Sequence, residues 1–142
     1  MRECLAEVPM IEAKAIWTDH HRFLAQAGSS HGVVVDGDSK TGNSPMELVL
    51  IGLCGCTGYD VASILTKKRE PFTSLEVRAE GEKAPAPPSV YTRIKLVYSI
   101  RGAVSRKAAE DAIQLSKDKY CSVSAMLEKT AEISWELELL TS

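Results

Sequence analysis

The sequence predicts an α+β fold with antiparallel sheets, because strand and helix patterns fall in separate stretches of the chain. Residues 75–80, 91–100 and 133–139 alternate apolar and polar side chains with period two, the mark of half-buried strands. Residues 44–68 form a long apolar run bounded by helix signals, and residues 105–130 carry apolar side chains at helical spacing. The predicted order is three strands, a long helix, two strands, two helices and a last antiparallel-type strand.

Residues 1–9 read as a loosely ordered leader, and Cys4 within it as an incidental thiol. Residues 11–17 alternate enough to be a strand, residues 18–21 a turn, and residues 22–27 its hairpin partner. Residues 32–36 make a short third strand, and the polar stretch 37–43 feeds the long helix. Ser44 can accept the amide of Glu47, Glu47 can reach back, and Pro45 sits where a missing N–H is harmless. Lys67, Lys68 and Arg69 suit the negative end of that helix.

The helix itself is the most informative element. Leu48, Val49, Leu50, Ile51, Leu53 and Cys54 leave it no polar face, which predicts burial on all sides. A chain this short rarely encloses such a helix alone, so a second copy is expected to cover part of it. The uncharged run 48–59 is broken by Gly52, Gly55 and Gly58 and ends at Asp60, short of the roughly 20 residues a membrane span needs.

After the helix, Leu75, Val77 and Ala79 alternate with Glu76, Arg78 and Glu80. The Pro-rich stretch 84–89 is too short for a domain linker and reads as a stiff hairpin loop. The strand 91–100 follows, with Arg93 and Lys95 expected to face Glu76 and Glu80 across the pair. Residues 105–120 then read as one helix with a buried side, and a shorter helix starts after Cys121 with Ser122 as candidate N-cap.

The 142 residues fit a single domain, 1–142, with 44% hydrophobic and 25% charged side chains. A net charge of −2 with no basic stripe argues against nucleic acid. No apolar signal segment opens the chain, so a cytosolic protein with reduced thiols is expected. The sequence has no Gly-rich phosphate loop, no Gly-x-Ser-x-Gly elbow and no paired Cys-x-x-Cys knuckles. His20, His21 and His31 lie in turns without further ligands at metal spacing, so no metal and no cofactor are expected.

The chemistry therefore reduces to cysteines. Cys54 and Cys56 are two apart on a helix and point roughly 160° away from each other, so they should not bridge. Either alone reads most simply as a small core residue. Cys121 precedes a helix start with Lys117 and Lys119 close in sequence, features that lower a thiol's pKa. That makes a redox-active Cys121 and an inert one equally fair readings.

A long helix opening Ser44-Pro45-Met46-Glu47-Leu48 and carrying Gly55-Cys56, then Lys119-Tyr120-Cys121-Ser122-Val123-Ser124 about 65 residues on, resembles the OsmC/Ohr family. That family contains thiol-dependent peroxidases acting on organic hydroperoxides. The resemblance covers residues 10–140 and is nearest the branch with Ser-Pro-Met-Glu in place of Asn-Pro-Glu-Glu or Asn-Pro-Glu-Gln. It implies an intertwined homodimer with the long helices at its centre. Cys56 would be the peroxidatic thiol that becomes a sulfenic acid, and Cys121 the resolving thiol that condenses with it to a disulfide. A dithiol donor, lipoyl-type in the family, would reduce that disulfide.

One position departs from the family pattern. The peroxidase branches carry a Glu directly after the Pro, where it holds an arginine that activates the thiol; here Met46 stands there. Glu47 is already explained by the capping box. The arginine is best matched by Arg22, and Asp60, one turn beyond Cys56, is the expected replacement anchor. Met46 also favours an alternative: a homodimer that holds a lipophilic ligand near Cys56, with the thiols as a redox sensor or as packing.

Overall fold

The computed structural model describes residues 8–141, so Cys4 lies outside the described residues. The chain divides into two compact units, one up to Leu48 and one from Val49 onward.

The first unit is a three-stranded antiparallel meander, β1 (Ala13–Asp19), β2 (Arg22–Ala27) and β3 (Gly32–Asp36), in that order across the sheet. The β1–β2 turn is at His20-His21, and His20 takes a positive φ of 47° there. Behind β3, the buried Asp36 carboxylate ties the following loop together. It accepts from the Asp38 amide at 2.8 Å, the Thr41 amide at 2.9 Å and the Thr41 hydroxyl at 2.7 Å. Those bonds, the Thr41 hydroxyl's first, hold its carboxyl well below the usual range.

The long helix α1 (Pro45–Lys67) starts in the first unit, and the unit boundary falls after its first turn, between Leu48 and Val49. Its capping box is formed: the Ser44 amide donates to Glu47 Oε1 at 2.8 Å, and the Glu47 amide to Ser44 Oγ at 3.3 Å. Ser39 Oγ donates to the same Glu47 oxygen at 2.8 Å.

In the second unit, α1 is followed by β4 (Phe72–Lys83), β5 (Tyr91–Gly102), α2 (Arg106–Leu115), a π-helical turn (Ser116–Tyr120), α3 (Ser122–Leu127) and β6 (Glu132–Leu140). β4 and β5 form the expected hairpin around 84–89. β6, however, runs parallel to β5, with Ile94 opposite Ile133 and Tyr98 opposite Leu137. The alternation that marks half-buried strands carries no sign of direction. Direction is set by the helical segment between β5 and β6, a crossover of the kind that parallel strands need. The charge pairing also differs from expectation: Lys95 lies opposite Glu80 but ion-pairs with Glu136 of β6, while Arg93 pairs with Glu82. Glu76 lies opposite Ser99.

Thr57 of α1 bonds to Tyr98 of β5 and Gly58 faces Val77 of β4, so α1 lies along this sheet. The core between them contains Leu53, Val61, Leu65, Ile94, Tyr98, Ile100 and, from α2, Ala109 and Ile113. Within one chain the burial of α1 is narrower than its composition predicts. Only the i, i+4 stripe Leu53, Thr57, Val61 and Leu65 is buried, while Ile51 is 51% and Tyr59 74% exposed. By length and composition α1 could cross a membrane, but its buried stripe is packed on a sheet and hydrogen-bonded within the fold.

Candidate active site

Two segments far apart in sequence meet at the middle of α1. Cys56 lies there, half-buried, and Cys121 closes the π-helical turn. Cys121 is 2% exposed, and the nearby Cys56 is among the groups that raise its pKa. Cys54, Cys56 and Cys121 are all free thiols. Cys54 points elsewhere on the helix, and burial raises its pKa.

Cys121 itself, rather than Ser122, is the N-cap of α3: its Sγ accepts the Ser124 amide at 3.4 Å. Sequence reasoning expects a lowered thiol pKa here, and the structure corrects that. Burial pushes Cys121 up to about 12; the Ser124 amide opposes the rise, while Cys56 and the Asp60 carboxylate add to it. The two lysines expected to help are engaged otherwise. Lys117 Nζ donates to the Ile133 carbonyl at 3.1 Å, and Lys119 lies 5.4 Å from the centre of the Tyr120 ring. Among the described residues, Ser124 Oγ, next to the cap, is buried without a hydrogen-bond partner.

Beside the thiols runs a line of hydroxyls that sequence reasoning misses. Tyr98 OH lies 2.7 Å from Thr57 Oγ1, Thr57 Oγ1 lies 2.8 Å from Ser116 Oγ, and Ser116 Oγ donates to Asp60 Oδ2 at 2.8 Å. A carboxylate can only accept, and each hydroxyl has one hydrogen. With Ser116 committed to Asp60, Thr57 must donate to Ser116 and Tyr98 to Thr57. The bonds therefore all run one way, toward Asp60. Burial raises the Tyr98 hydroxyl to about 12, and the nearby Cys121, Cys54 and Asp60 add to the rise. The available signal was Thr57 itself, a polar side chain on the apolar i, i+4 stripe of α1, which needs a partner when buried.

The remaining expected site residues are placed as follows. Asp60 takes its hydrogen bond from Ser116. Arg22, in β2 of the first unit, is held by Asp19, with Nε 2.7 Å from Oδ1 and a second bond from its other nitrogen to Oδ2. Within one chain, Arg22 and Asp60 each have a partner from their own unit. Glu47 is occupied by the helix cap, which holds its carboxyl below the usual range.

The chain and its fold are similar to those of known proteins. The chain is 36% identical to the protein YhfA of Escherichia coli K12 over 134 residues, 93% of this chain and all of that one. A crystal structure of a hypothetical protein from Aquifex aeolicus VF5 matches with a TM-score of 0.82 at 31% identity, covering 94% of this chain and 99% of the other. An organic hydroperoxide resistance protein from Elizabethkingia anophelis shares the fold at a TM-score of 0.70 and 16% identity, over 96% of this chain and 100% of its own. The family model for OsmC-like proteins matches residues 37–136, which takes in α1, the hydroxyl line and both thiols, and the chain belongs to the OsmC-like family.

Proposed function

We propose that the protein reduces organic hydroperoxides with Cys56 and Cys121. The observation that supports this reading is that the segment carrying the free Cys121 is tied to the helix beside the free Cys56, Ser116 bonding to Thr57, the residue after Cys56, at 2.8 Å. The Cys56 thiolate attacks a peroxide oxygen, the O–O bond breaks, Cys56 becomes a sulfenic acid, and the departing alkoxide takes up from water the proton the thiol had released and leaves as the alcohol. The Cys121 sulfur then attacks that sulfur, the S–O bond breaks, and the departing oxygen takes the Cys121 proton to leave as water. The resulting disulfide is returned to two thiols by exchange with a dithiol reductant of lipoyl type, which is itself oxidised.

Cys121 reacts from the neutral side of its titration, so its attack is coupled to proton transfer onto the leaving oxygen. Arg22 is proposed as the group that favours the Cys56 thiolate, and Asp60 and Glu47 as supporting residues. A homodimer is proposed to cover the open faces of α1, and a reducing cytosol is proposed as the working compartment. Membership of a family whose fold is shared by organic hydroperoxide resistance proteins supports the reaction class.

The test is consumption of cumene hydroperoxide by the reduced protein. One equivalent should disappear with formation of a single Cys56–Cys121 disulfide. Cys56→Ser should be silent, and Cys121→Ser should stop at a sulfenic acid that dimedone traps. Unchanged consumption by Cys56→Ser removes the assignment. A second reading, a module that holds a lipophilic ligand near Cys56, is favoured by the raised pKa of Cys121. Slow peroxide turnover together with tight retention of such a ligand would select it.

A further inference from the structure

Ser116 connects the two cysteine-bearing segments. Toward α1, its hydroxyl bonds to Thr57, the residue after Cys56, and to Asp60, one turn beyond, each at 2.8 Å. Toward the crossover, it opens the π-helical turn, and its carbonyl accepts the Cys121 amide at 2.8 Å. Ser116 is 0% exposed, so water does not compete for these bonds. A π-helical turn is rare. Relaxing it to α geometry would turn each following residue about the axis and carry Cys121 away from its neighbour.

We infer that Ser116, clamped by Asp60 and Thr57, is the positioning residue that holds the π-helical turn in register and so sets the Cys121 sulfur against Cys56. The inference deepens the peroxidase reading and rests on the two thiols acting as a redox pair. Ser116 touches neither peroxide nor sulfur in this role. It acts through the backbone of the turn, and Asp60 acts as the acceptor that fixes the Ser116 hydroxyl.

The clamp is tested without peroxide. The full chain is equilibrated in buffers of reduced and oxidised glutathione, and the Cys56–Cys121 disulfide fraction is read by mass spectrometry, giving the effective concentration of one thiol at the other. Oxidised glutathione takes up the two electrons and becomes two reduced molecules, so a protein that ignores hydroperoxides still reports on the clamp. Ser116→Ala should lower the effective concentration about tenfold, a rise in potential of about 30 mV for a two-electron couple. Ser116→Thr, which keeps the hydroxyl, should recover most of that loss.

A change below threefold in folded Ser116→Ala, or no recovery in Ser116→Thr, overturns the clamp. Should Ser116→Ala fail to fold, Asp60→Asn and Asp60→Ala give the same reading. Both lose the charge but only Asn keeps an acceptor oxygen, so Asn must exceed Ala, and equal values overturn the proposal.

Discussion

The Tyr98 hydroxyl and Thr57 Oγ1 lie 2.7 Å apart in the interior, and Thr57 is the link on which both neighbouring hydroxyls depend. Thr57→Val keeps the volume but leaves Tyr98 with a buried hydrogen and no acceptor. Such a change should cost about 1–3 kcal/mol. Thr57→Ser, which keeps the oxygen, should cost less. Urea unfolding of the reduced protein checks both.

Alkaline pH should destabilise the fold through two buried acids. Cys121 and Tyr98 are each pushed up to about 12 in the folded chain. In the unfolded chain they ionise near about 8.5 and 10. The unfolded state therefore releases protons that the folded state keeps, and stability falls as pH rises. The contribution is whole below about pH 8.5 and lost on the way to about 12. Urea midpoints measured from pH 8 to 10.5 should decline, and Cys121→Ser should remove the earlier part of the decline.

Ser124 offers a gain. Its hydroxyl is buried without a partner among the described residues, a situation that costs about 1–3 kcal/mol. Ser124→Ala keeps the amide that caps onto Cys121 Sγ and removes the unpaired oxygen. The melting temperature should stay level or rise by a few degrees, and a clear drop would reveal a partner for that hydroxyl.

The helix start is a local test. Ser44 caps α1 through Glu47, and Ser44→Ala should lose about 1 kcal/mol. Ser44→Asp should hold stability near wild type, read from the same denaturation curves.

Association of two copies has its own readout. A methyl group added at Gly52 or Gly55 meets nothing within 4 Å in a single chain. Gly55→Ala should therefore stabilise an isolated chain by about 1 kcal/mol through helix propensity. If a second subunit covers this face, Gly55→Leu should shift sedimentation from twice the chain mass toward one. A wild-type protein that sediments as a monomer would sink the expectation.

Much of this was legible because the signals are local. Ser44, Pro45 and Glu47 announce the helix start, and the period-two pattern of 91–100 announces β5 wherever its neighbours lie. Strand direction was not legible, since Ile133, Trp135 and Leu137 alternate identically in either sense. The break at Ser116 was also hidden. Ala108, Ala109, Ala112 and Ile113 establish a helical face that nothing in residues 116–120 interrupts, and the π-helical turn coincides with tertiary bonds from Ser116 to Thr57 and Asp60. The pKa of Cys121 failed for a related reason: sequence proximity to Lys117 and Lys119 says nothing of where those ammonium groups are spent.

The parallel docking of β6 has a temporal consequence during synthesis. Until residues 132–140 emerge and align beside β5, that edge is bare and the segment carrying Cys121 is anchored at one end only. Closure of the sheet by β6 is thus the step that anchors the second end of that segment.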